Sequence, residues 1–269
     1  MKLDKVKERV QSGVGLLEKA FQILDLFQPD MPSWTQADIV RATGLNRSTA
    51  NRLVRYLASK GYLVQSGATG QFRLGLASVD LGRRANASFD LHGICRPVLE
   101  RLWRETEESV LLTALDEFNY KVVCVDQIES RRDGILVFSR IGATFPLHAG
   151  AAPKAVLAAL PEDVQEAYIS GDLEKISEYT LVDPDELRAD MKRTRERGYS
   201  VSFQETYSGT AGIGAAFSGP DGKPMGSVAI ALPIQRIDDE LVLQFGKLLI
   251  EAVTEISALL KGDTLAGGE

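Results

Sequence analysis

The stretch "GLNRSTANRLVRYLASKGYLVQ", residues Gly44–Gln65, has the pattern of a helix with one apolar side and one basic side. At about 100° per residue, the apolar side collects four residues: Ala50, Leu53, Val54 and Leu57. The opposite side collects polar and basic residues: Ser48, Arg52, Arg55 and Ser59, with Arg47 and Asn51 at its margin. No Asp or Glu occurs between Val40 and Gly75, although a solvated surface helix more often mixes acids with bases. The stretch therefore predicts an amphipathic helix whose polar side faces an anionic partner.

The residues before this helix predict two further helices. Apolar residues recur at helical spacing from Gly15 to Phe27, which indicates an amphipathic helix. A second, shorter helix is predicted at "TQADIVRAT". Either Ser33 or Thr35 can cap its start, and Gly44 stops it.

The residues after Gly44 predict a capped helix and a hairpin. Asn46 caps the third helix, which runs to Ser59 and is ended by Gly61, a residue that adopts a left-handed backbone easily. The segments "YLVQ" and "QFRLG" then alternate in polarity around "SGATG", which indicates a hairpin with a small loop. Two short helices joined by a tight glycine turn and followed by a hairpin form a winged helix-turn-helix.

The charge of the chain is divided unevenly along its length. Residues 1–84 contain 13 Lys and Arg against 7 Asp and Glu, whereas the remaining 185 residues contain 18 against 30. A basic end on an acidic body indicates two modules with different partners, and a polyanion suits the basic one. The charge alone leaves open a solvated imbalance with no partner.

The polar side of the third helix suits the major groove of double-stranded DNA. Arginine can form two hydrogen bonds with guanine, asparagine can do the same with adenine, and serine can contact bases or phosphates. Free backbone N–H groups at the helix start suit a phosphate. We predict base contacts for Arg47, Ser48, Asn51 and Arg52, and contacts nearer phosphates for Thr49, Arg55 and Arg73. Thr35 and Asn46 complete the predicted DNA-binding set.

The rest of the chain predicts a second module with an α+β fold. The segment "LASVDLGRRANASFDLHGICRPVLERLWRETEES" has a helical pattern with interruptions at Gly93 and Pro97. Strands are predicted at "SVLLTAL", "KVVCVDQI", "ILVF", "GIGAAFS" and "GSVAIAL". Helices are predicted at "AAPKAVLAAL", "DPDELRADMKRTRERG" and about Asp238–Leu260. Because several strands are joined as hairpins, we expect a largely antiparallel sheet flanked by helices.

Several classes of protein are disfavoured by the composition. No apolar run approaches the roughly 20 residues that span a bilayer, and the charged start "MKLDKVKERVQSG" lacks the apolar region of a secretory signal. The two cysteines, Cys95 and Cys124, form neither a disulfide framework nor a zinc site by their spacing. We therefore expect a cytoplasmic protein with no membrane partner, no metal and no cofactor, and we place Cys124 in the core.

An enzymatic function is the hypothesis that the motifs support least. The sequence has no Gly-x-Ser-x-Gly elbow, no P-loop and no His-Glu-x-x-His. Glu205 and Asp221 could be imagined as an acid–base pair, but Asp221 lies in a predicted turn and the sequence does not give their geometry. The glycine-rich "GTAGIG" lacks the strand-before, helix-after context of a nucleotide loop. We therefore predict no catalytic residues.

Four motifs together resemble the IclR family of bacterial transcriptional regulators. The first is "TGLNRSTANRLVRYLASKGYLVQSGATGQFRLG", which is similar to the DNA-binding domain of that family. The others follow in the family's order: "SRIGATFPLHAGAAPKAVLA", "TRERGYSVSFQET" and "GIGAAFSGPDGKPMGSVAIALP". The resemblance covers about Gly15 to Leu260. It implies a winged helix-turn-helix, a GAF-like effector-binding domain, and a homodimer or dimer of dimers on a palindromic operator.

The resemblance also implies a set of effector-binding residues. Backbone groups after the Pro-Leu-His-Ala segment contact the ligand in family members, and the other positions carry an acid, a cysteine with an apolar residue two before it, and two serines in some members. The corresponding residues here are Ala151, Ala152, Ser202, Thr210, Gly212, Ala229 and Ala231. His148 is expected to be a structural hydrogen-bonding residue near the pocket mouth.

These departures from the family pattern bear on the effector. Ser replaces the acid, Gly the cysteine and Ala the two serines, so the pocket loses polar anchors and gains volume. A two- or three-carbon oxoacid would need those anchors, because a small ligand gains little from apolar contact. We hypothesise a larger, less polar effector such as an aromatic acid. The alternative is a regulator with no small-molecule effector, in which the glycines and alanines only allow tight packing.

The predicted organisation has five segments. They are an N-terminal extension at residues 1–14, the winged helix-turn-helix at 15–75, a linker helix at 76–93, the effector-binding domain at 94–262 and a tail at 263–269. The linker helix would couple the effector domain to the spacing of the recognition helices in a dimer. The sequence leaves open the effector, the operator, the oligomer size and whether the regulator represses or activates.

Overall fold

A computed structural model of the chain describes residues 14–28, 31–88, 91–130, 132 and 139–262. The chain divides into two units, Met1–Phe89 and Asp90–Glu269. The predicted strand "ILVF" at residues 135–138 and the predicted tail lie outside the described residues, as does nearly all of the N-terminal extension.

Three helices begin the N-terminal unit: α1 (Gly15–Leu24), α2 (Gln36–Thr43) and α3 (Arg47–Ser59). The hydroxyl of Thr35 accepts a hydrogen bond from the Asp38 amide, so Thr35 rather than Ser33 caps α2. Gly44 ends α2 with a φ of 67°, a backbone that only glycine adopts without strain. The sharp turn that results brings α3 across α2 as a helix-turn-helix.

A hairpin and one further helix complete the N-terminal unit: β1 (Leu63–Gln65), β2 (Phe72–Leu74) and α4 (Leu76–Ser88). Strands β1 and β2 pair antiparallel, with Leu63 opposite Leu74. The apolar sides of the helices and the hairpin meet in one core: Ile23, Phe27, Ile39, Leu53, Val54, Leu57, Leu63 and Phe72. The predicted winged helix-turn-helix is therefore confirmed, although α1 ends at Leu24 and Phe27 is buried beyond its end.

The second unit contains a six-stranded sheet in the order β5-β4-β3-β8-β7-β6, and all its described strand pairs are antiparallel. Its strands are β3 (Ser109–Asp116), β4 (Lys121–Ile128), β5 (Thr144–Pro146), β6 (Ser200–Phe203), β7 (Thr210–Ser218) and β8 (Pro224–Pro233). Its helices are α5 (Leu91–Thr106), α6 (Ala151–Ala159), α7 (Glu162–Ile169), α8 (Pro184–Arg197) and α9 (Asp239–Leu260), with a 3-10 turn at Ile234–Arg236. The predicted α+β fold with a mainly antiparallel sheet flanked by helices is confirmed.

The two faces of this sheet differ in side-chain size. One face is apolar and packs against α5 and α9, and it carries Val110, Leu112, Ile213, Phe217, Val228 and Ile230. The opposite face carries small residues on the central strands, and α6 lies against it. Gly214 and Ala229, which are partners across β7 and β8, belong to this small-residue face. The alternation of the strands thus separates a packed core from a face that a helix can approach closely.

Helix α5 differs from its sequence-based prediction. It continues through Gly93 and Pro97, where interruptions were expected. Its apolar stripe, which includes Cys95, Val98, Leu99 and Leu102, is buried in the core. Tertiary packing of that stripe offsets the hydrogen bond that proline cannot make. The short elements β5, β6 and α7 were missed, because segments of 3–8 residues show little periodicity.

The contact between α6 and β7 predicts the effect of adding one methyl group. In Gly214→Ala, the new Cβ would lie 2.8–2.9 Å from backbone atoms of Ala151 and Ala152. Because backbone cannot easily move away, we expect the free energy of unfolding to fall by about 1–3 kcal/mol in urea denaturation. The matched Gly219→Ala meets mainly the flexible end of Met225 and should change stability by less than about 0.5 kcal/mol. Equal stability of the two variants would contradict the close contact.

Candidate nucleic-acid interface and ligand pocket

The polar side of α3 is open to solvent and basic. Arg47, Ser48, Arg52 and Arg55 are exposed, while the apolar side is buried as predicted. Within the described part of the chain, Arg47, Arg52 and Arg55 have no acidic partner. Arg73 on β2 is likewise exposed and has no carboxylate beside it among those residues. This surface is therefore free to bind a polyanion.

Other residues of the predicted DNA-binding set form hydrogen bonds within the N-terminal unit. Asn46 accepts a hydrogen bond from the Thr49 amide at 2.8 Å and thereby caps α3, and the Ser48 hydroxyl donates to Asn46 at 3.0 Å. Asn51 is partly buried, and its side-chain oxygen accepts a hydrogen bond from Gln36. Gln36 therefore orients Asn51, a role that sequence reasoning missed because the two residues are 15 positions apart.

A cavity of about 80 Å³ lies between the small-residue face of the sheet and the start of α6. All seven residues of the predicted effector-binding set line it: Ala151, Ala152, Ser202, Thr210, Gly212, Ala229 and Ala231. The lining also includes residues that were missed: Leu111, Thr113, Ser139, Phe145, Thr206 and Tyr207. The missed residues come from β3, from β5 and from two loops, and no local sequence pattern brings these segments together. None of the described lining residues carries a charged side chain.

Unpaired backbone amides mark one end of this cavity. The N–H groups of Ala151 and Ala152 open helix α6 and have no hydrogen-bond partner among the described residues. The following residue, Pro153, has no N–H group, and the Lys154 amide is bonded to the Gly150 carbonyl at 3.1 Å. A pair of adjacent free amides at a helix N-terminus is suited to an anion.

The carbonyl groups of the same helical turn are held by the sheet. The Ser200 hydroxyl donates to the Ala151 carbonyl, and the Ser227 hydroxyl donates to the Ala152 carbonyl at 2.9 Å. A Cβ at Gly214 would meet this turn, so tight packing does explain that glycine. At Gly212 a Cβ would lie 3.2 Å from the Ala151 methyl group. The space beside Gly212 is therefore smaller than the gain in pocket volume that was expected from the sequence.

Hydroxyl groups and one aromatic pair shape the rest of the cavity. The Ser202 hydroxyl makes no hydrogen bond to another described residue, whereas the Thr210 hydroxyl donates to the Tyr207 carbonyl at 2.7 Å. The rings of Phe145 and Tyr207 meet edge to face with centroids 6.3 Å apart. The cavity thus combines an apolar interior with a few hydrogen-bonding groups, as small-molecule sites do.

His148 has a structural role, as predicted, but it does not line the cavity. Its Nδ1 lies 2.8 Å from the Tyr168 hydroxyl, and its Nε2 lies 2.8 Å from the Glu174 carbonyl. The neutral ring satisfies both partners, with Nε2–H donating to the carbonyl and Nδ1 accepting from the hydroxyl. Burial lowers the pKa of His148 below 6.5 and raises the pKa of Tyr168 to about 12.

The cysteines and the carboxylates that were considered for catalysis or metal binding lie in surroundings that do not support either role. Cys124 is buried in the sheet, as predicted, and burial raises its pKa to about 11 and that of Cys95 to about 12, so both thiols stay protonated. Glu205 and Asp221 lie beyond opposite ends of the nine-residue strand β7 and cannot act as a pair. Across the described residues there is no cluster of three or more metal-ligating side chains, and none of their helices is long and apolar enough to cross a membrane.

The chain combines a winged helix-turn-helix that has a free basic face with a second unit that contains a cavity. This combination defines a DNA-binding regulator with an effector-binding domain. Comparison with known proteins gives the family. The model of the IclR helix-turn-helix domain matches residues 16–67, and the model of the bacterial transcriptional regulator IclR C-terminal domain matches residues 84–258, more than half of the chain. The chain belongs to the IclR family of transcriptional regulators.

Individual relatives agree with this assignment. The transcriptional repressor IclR of Escherichia coli (strain K12) is 29% identical over 250 residues, which cover 93% of this chain and 91% of the repressor. The HTH-type transcriptional regulator KipR of Bacillus subtilis (strain 168) is 32% identical over 214 residues, 79% of this chain and 84% of KipR. The fold is shared with an IclR homolog from Microbacterium hydrocarbonoxydans crystallised with 4-hydroxybenzoate, with a TM-score of 0.80, 24% identity, and coverage of 92% and 100% of the two chains.

Proposed function

We propose that this regulator responds to a small carboxylate with an apolar, aromatic body. The observation that carries the proposal is the pair of unpaired amides, Ala151 and Ala152, at one end of a cavity whose described lining has no charged side chain. A carboxylate can accept both N–H groups and is also favoured by the positive end of the α6 dipole.

The remaining surface of the cavity supports an aromatic body for the ligand. Leu111, Phe145, Ala229 and Ala231 offer apolar contacts. Of these, Ala229 and Ala231 occupy positions where an oxoacid of two or three carbons would need polar anchors. The cavity of about 80 Å³ exceeds several-fold the roughly 10–15 Å³ that one water requires, which suits one ring rather than a large ligand. The Microbacterium homolog with 4-hydroxybenzoate is consistent with this ligand class.

The effector prediction can be tested by filling the cavity. Isothermal titration calorimetry should detect benzoate or 4-hydroxybenzoate, with weaker binding of glyoxylate and pyruvate. Ala231 is only partly buried and lines the cavity, so Ala231→Leu should weaken aromatic binding at least about tenfold by occupying the space of the ring. Ala167→Leu, on the exposed side of α7, is the matched control. Micromolar binding of glyoxylate or pyruvate without any aromatic ligand would refute the proposal.

A regulator with no small-molecule effector is the second candidate function. It is favoured by the tight packing at Gly214, which accounts for one small residue without a ligand. A thermal-shift panel of metabolites separates the two, because a ligand that binds only the folded state raises the melting temperature.

We place the regulator in the cytoplasm, and we propose no enzymatic activity, since the relatives are named as regulators and repressors.

For DNA binding, we propose that α3 enters the major groove of a palindromic operator. Arg47, Ser48, Asn51 and Arg52 would lie nearest the bases, and the exposed Arg55 and Arg73 would contact phosphates. Thr49 is half-buried and Asn46 caps the helix, so their proposed contacts run through the helix start. Thr35 caps α2, and we propose that its DNA contact likewise runs through the start of its helix.

Two arginines of α3 should respond differently to truncation. Arg52→Ala should cost about 1–3 kcal/mol of operator binding and leave binding to unrelated duplex unchanged, because its contact is with a base. Arg55→Ala should weaken both and lower the salt slope by about 1, because its contact is with a phosphate. The operator can be found by footprinting the promoter beside the regulator's own gene. Gel-shift titrations on it at several salt concentrations then give the operator affinity and the salt slope. Exposed Arg104→Ala is the control, and unchanged operator affinity in Arg52→Ala would refute the assignment.

We also propose that the chain acts as a homodimer or a dimer of dimers. Apolar side chains are exposed on α1 and α4 of the N-terminal unit: Leu16, Leu17, Phe21, Leu76 and Val79. Leu76 is 84% exposed, an unusual state for a large apolar side chain on a helix. A second copy of the unit could cover this surface and place two recognition helices on two half-sites.

The oligomer proposal predicts the effect of charges on that surface. The double variant Leu17→Glu with Phe21→Glu should lower the mass in sedimentation equilibrium, because buried acids in an apolar interface are costly. Phe118→Glu, which changes an exposed apolar side chain in the other unit, should keep the wild-type mass. A wild-type protein that is monomeric at micromolar concentration would rule out the dimer.

A further inference from the structure

A cluster of four charged side chains lies directly behind the wall of the ligand cavity. Lys154 on α6 is 1% exposed, and its ammonium group donates to Glu205 Oε1 at 2.6 Å and lies 2.9 Å from Asp190 Oδ2. Arg193 pairs with the other oxygen of Asp190 at 3.0 Å. Two cations balance two anions, so the cluster carries no net charge. Arg197 and Asp239, which line the groove beside it, add one positive and one negative charge.

Glu205 connects this cluster to the amides of α6. Its second oxygen accepts a hydrogen bond from the Gly150 amide at 2.9 Å. Gly150 directly precedes Ala151, so a carboxylate bound at Ala151 and Ala152 would occupy the amides next to the one that Glu205 occupies. Like charges on neighbouring amides repel, and burial leaves this repulsion poorly screened. Burial raises the pKa of Glu205 above 4.5, and Lys154 opposes that rise.

We propose that Glu205 is a positioning residue of the ligand cavity and that its ion pair with Lys154 sets the preference of the cavity for carboxylates over neutral ligands of the same shape. The Glu205 carboxylate fixes the Gly150 amide and the start of α6. Lys154 cancels the charge that would otherwise repel an anion there. The inference rests on the proposed binding of a carboxylate at α6.

The test compares benzoate with benzamide, which has the same ring and no charge. Calorimetry at one fixed pH gives the ratio of the two dissociation constants. Glu205→Gln keeps an oxygen for the Gly150 amide but leaves the cluster with one extra positive charge, so the ratio should move about tenfold or more toward benzoate. Lys154→Met leaves one extra negative charge and should move the ratio about as far toward benzamide.

Opposite shifts in the two single variants are the outcome that a merely structural role would not give. The double variant Lys154→Met with Glu205→Gln has no net charge in the cluster and should return to the wild-type ratio. If Lys154→Met does not fold, Glu205→Gln and the double variant still decide the question. Glu117→Gln, on an exposed turn, is the control and should leave the ratio unchanged.

The outcomes separate the two proposals. Wild-type protein that binds benzoate while every variant keeps the same ratio would overturn the role of the ion pair and leave the proposed effector class intact. Wild-type protein that binds neither benzoate nor benzamide would overturn the effector class and the inference that rests on it.

Discussion

The first turn of α6 lies directly against strands β7 and β8, and the geometry of the ligand cavity depends on that contact. Two serine hydroxyls, from Ser200 and Ser227, hold the carbonyl groups of Ala151 and Ala152. Gly214 leaves room for the backbone of the turn. The amides of the same two residues lie in the first turn of α6, where a helix offers them no acceptor, and they are unpaired beside the cavity. A buried amide without a partner costs free energy, which a bound anion would offset.

The charged side chains nearest the cavity lie behind its wall rather than in its lining. The described lining carries hydroxyl and apolar groups, while Lys154 and Glu205 are buried one layer further out. A buried ion pair is weak evidence for stability, since desolvation opposes the attraction between its members. Its hydrogen bonds to the Gly150 amide and the Val201 carbonyl instead fix the backbone on both sides of the cavity. The pair therefore acts on position and electrostatics more than on folding.

The N-terminal unit follows a simpler constraint. Helix α3 divides its residues between a buried apolar stripe and an exposed basic face, and among the described residues no carboxylate neutralises its arginines. On a chain with a formal net charge of −6, this face is a local positive region suited to the phosphates of DNA. The acidic remainder of the chain is repelled by those phosphates, which disfavours indiscriminate binding. Asn51 is the exception on that face, because Gln36 holds it in place.

The sequence by itself determined the winged helix-turn-helix, the basic face of α3, the larger helices and the antiparallel hairpins. Those features rest on local signals such as the Asn46 cap, the Gly44 turn and the periodicity of apolar residues. Family motifs also named the seven cavity positions by resemblance. Only the tertiary structure decided which amides stay unpaired, that Phe145 and Tyr207 face each other, and that Lys154 meets Glu205 across 51 positions of sequence. Contacts between residues so far apart depend on how the sheet and α6 pack, and no local pattern encodes that packing.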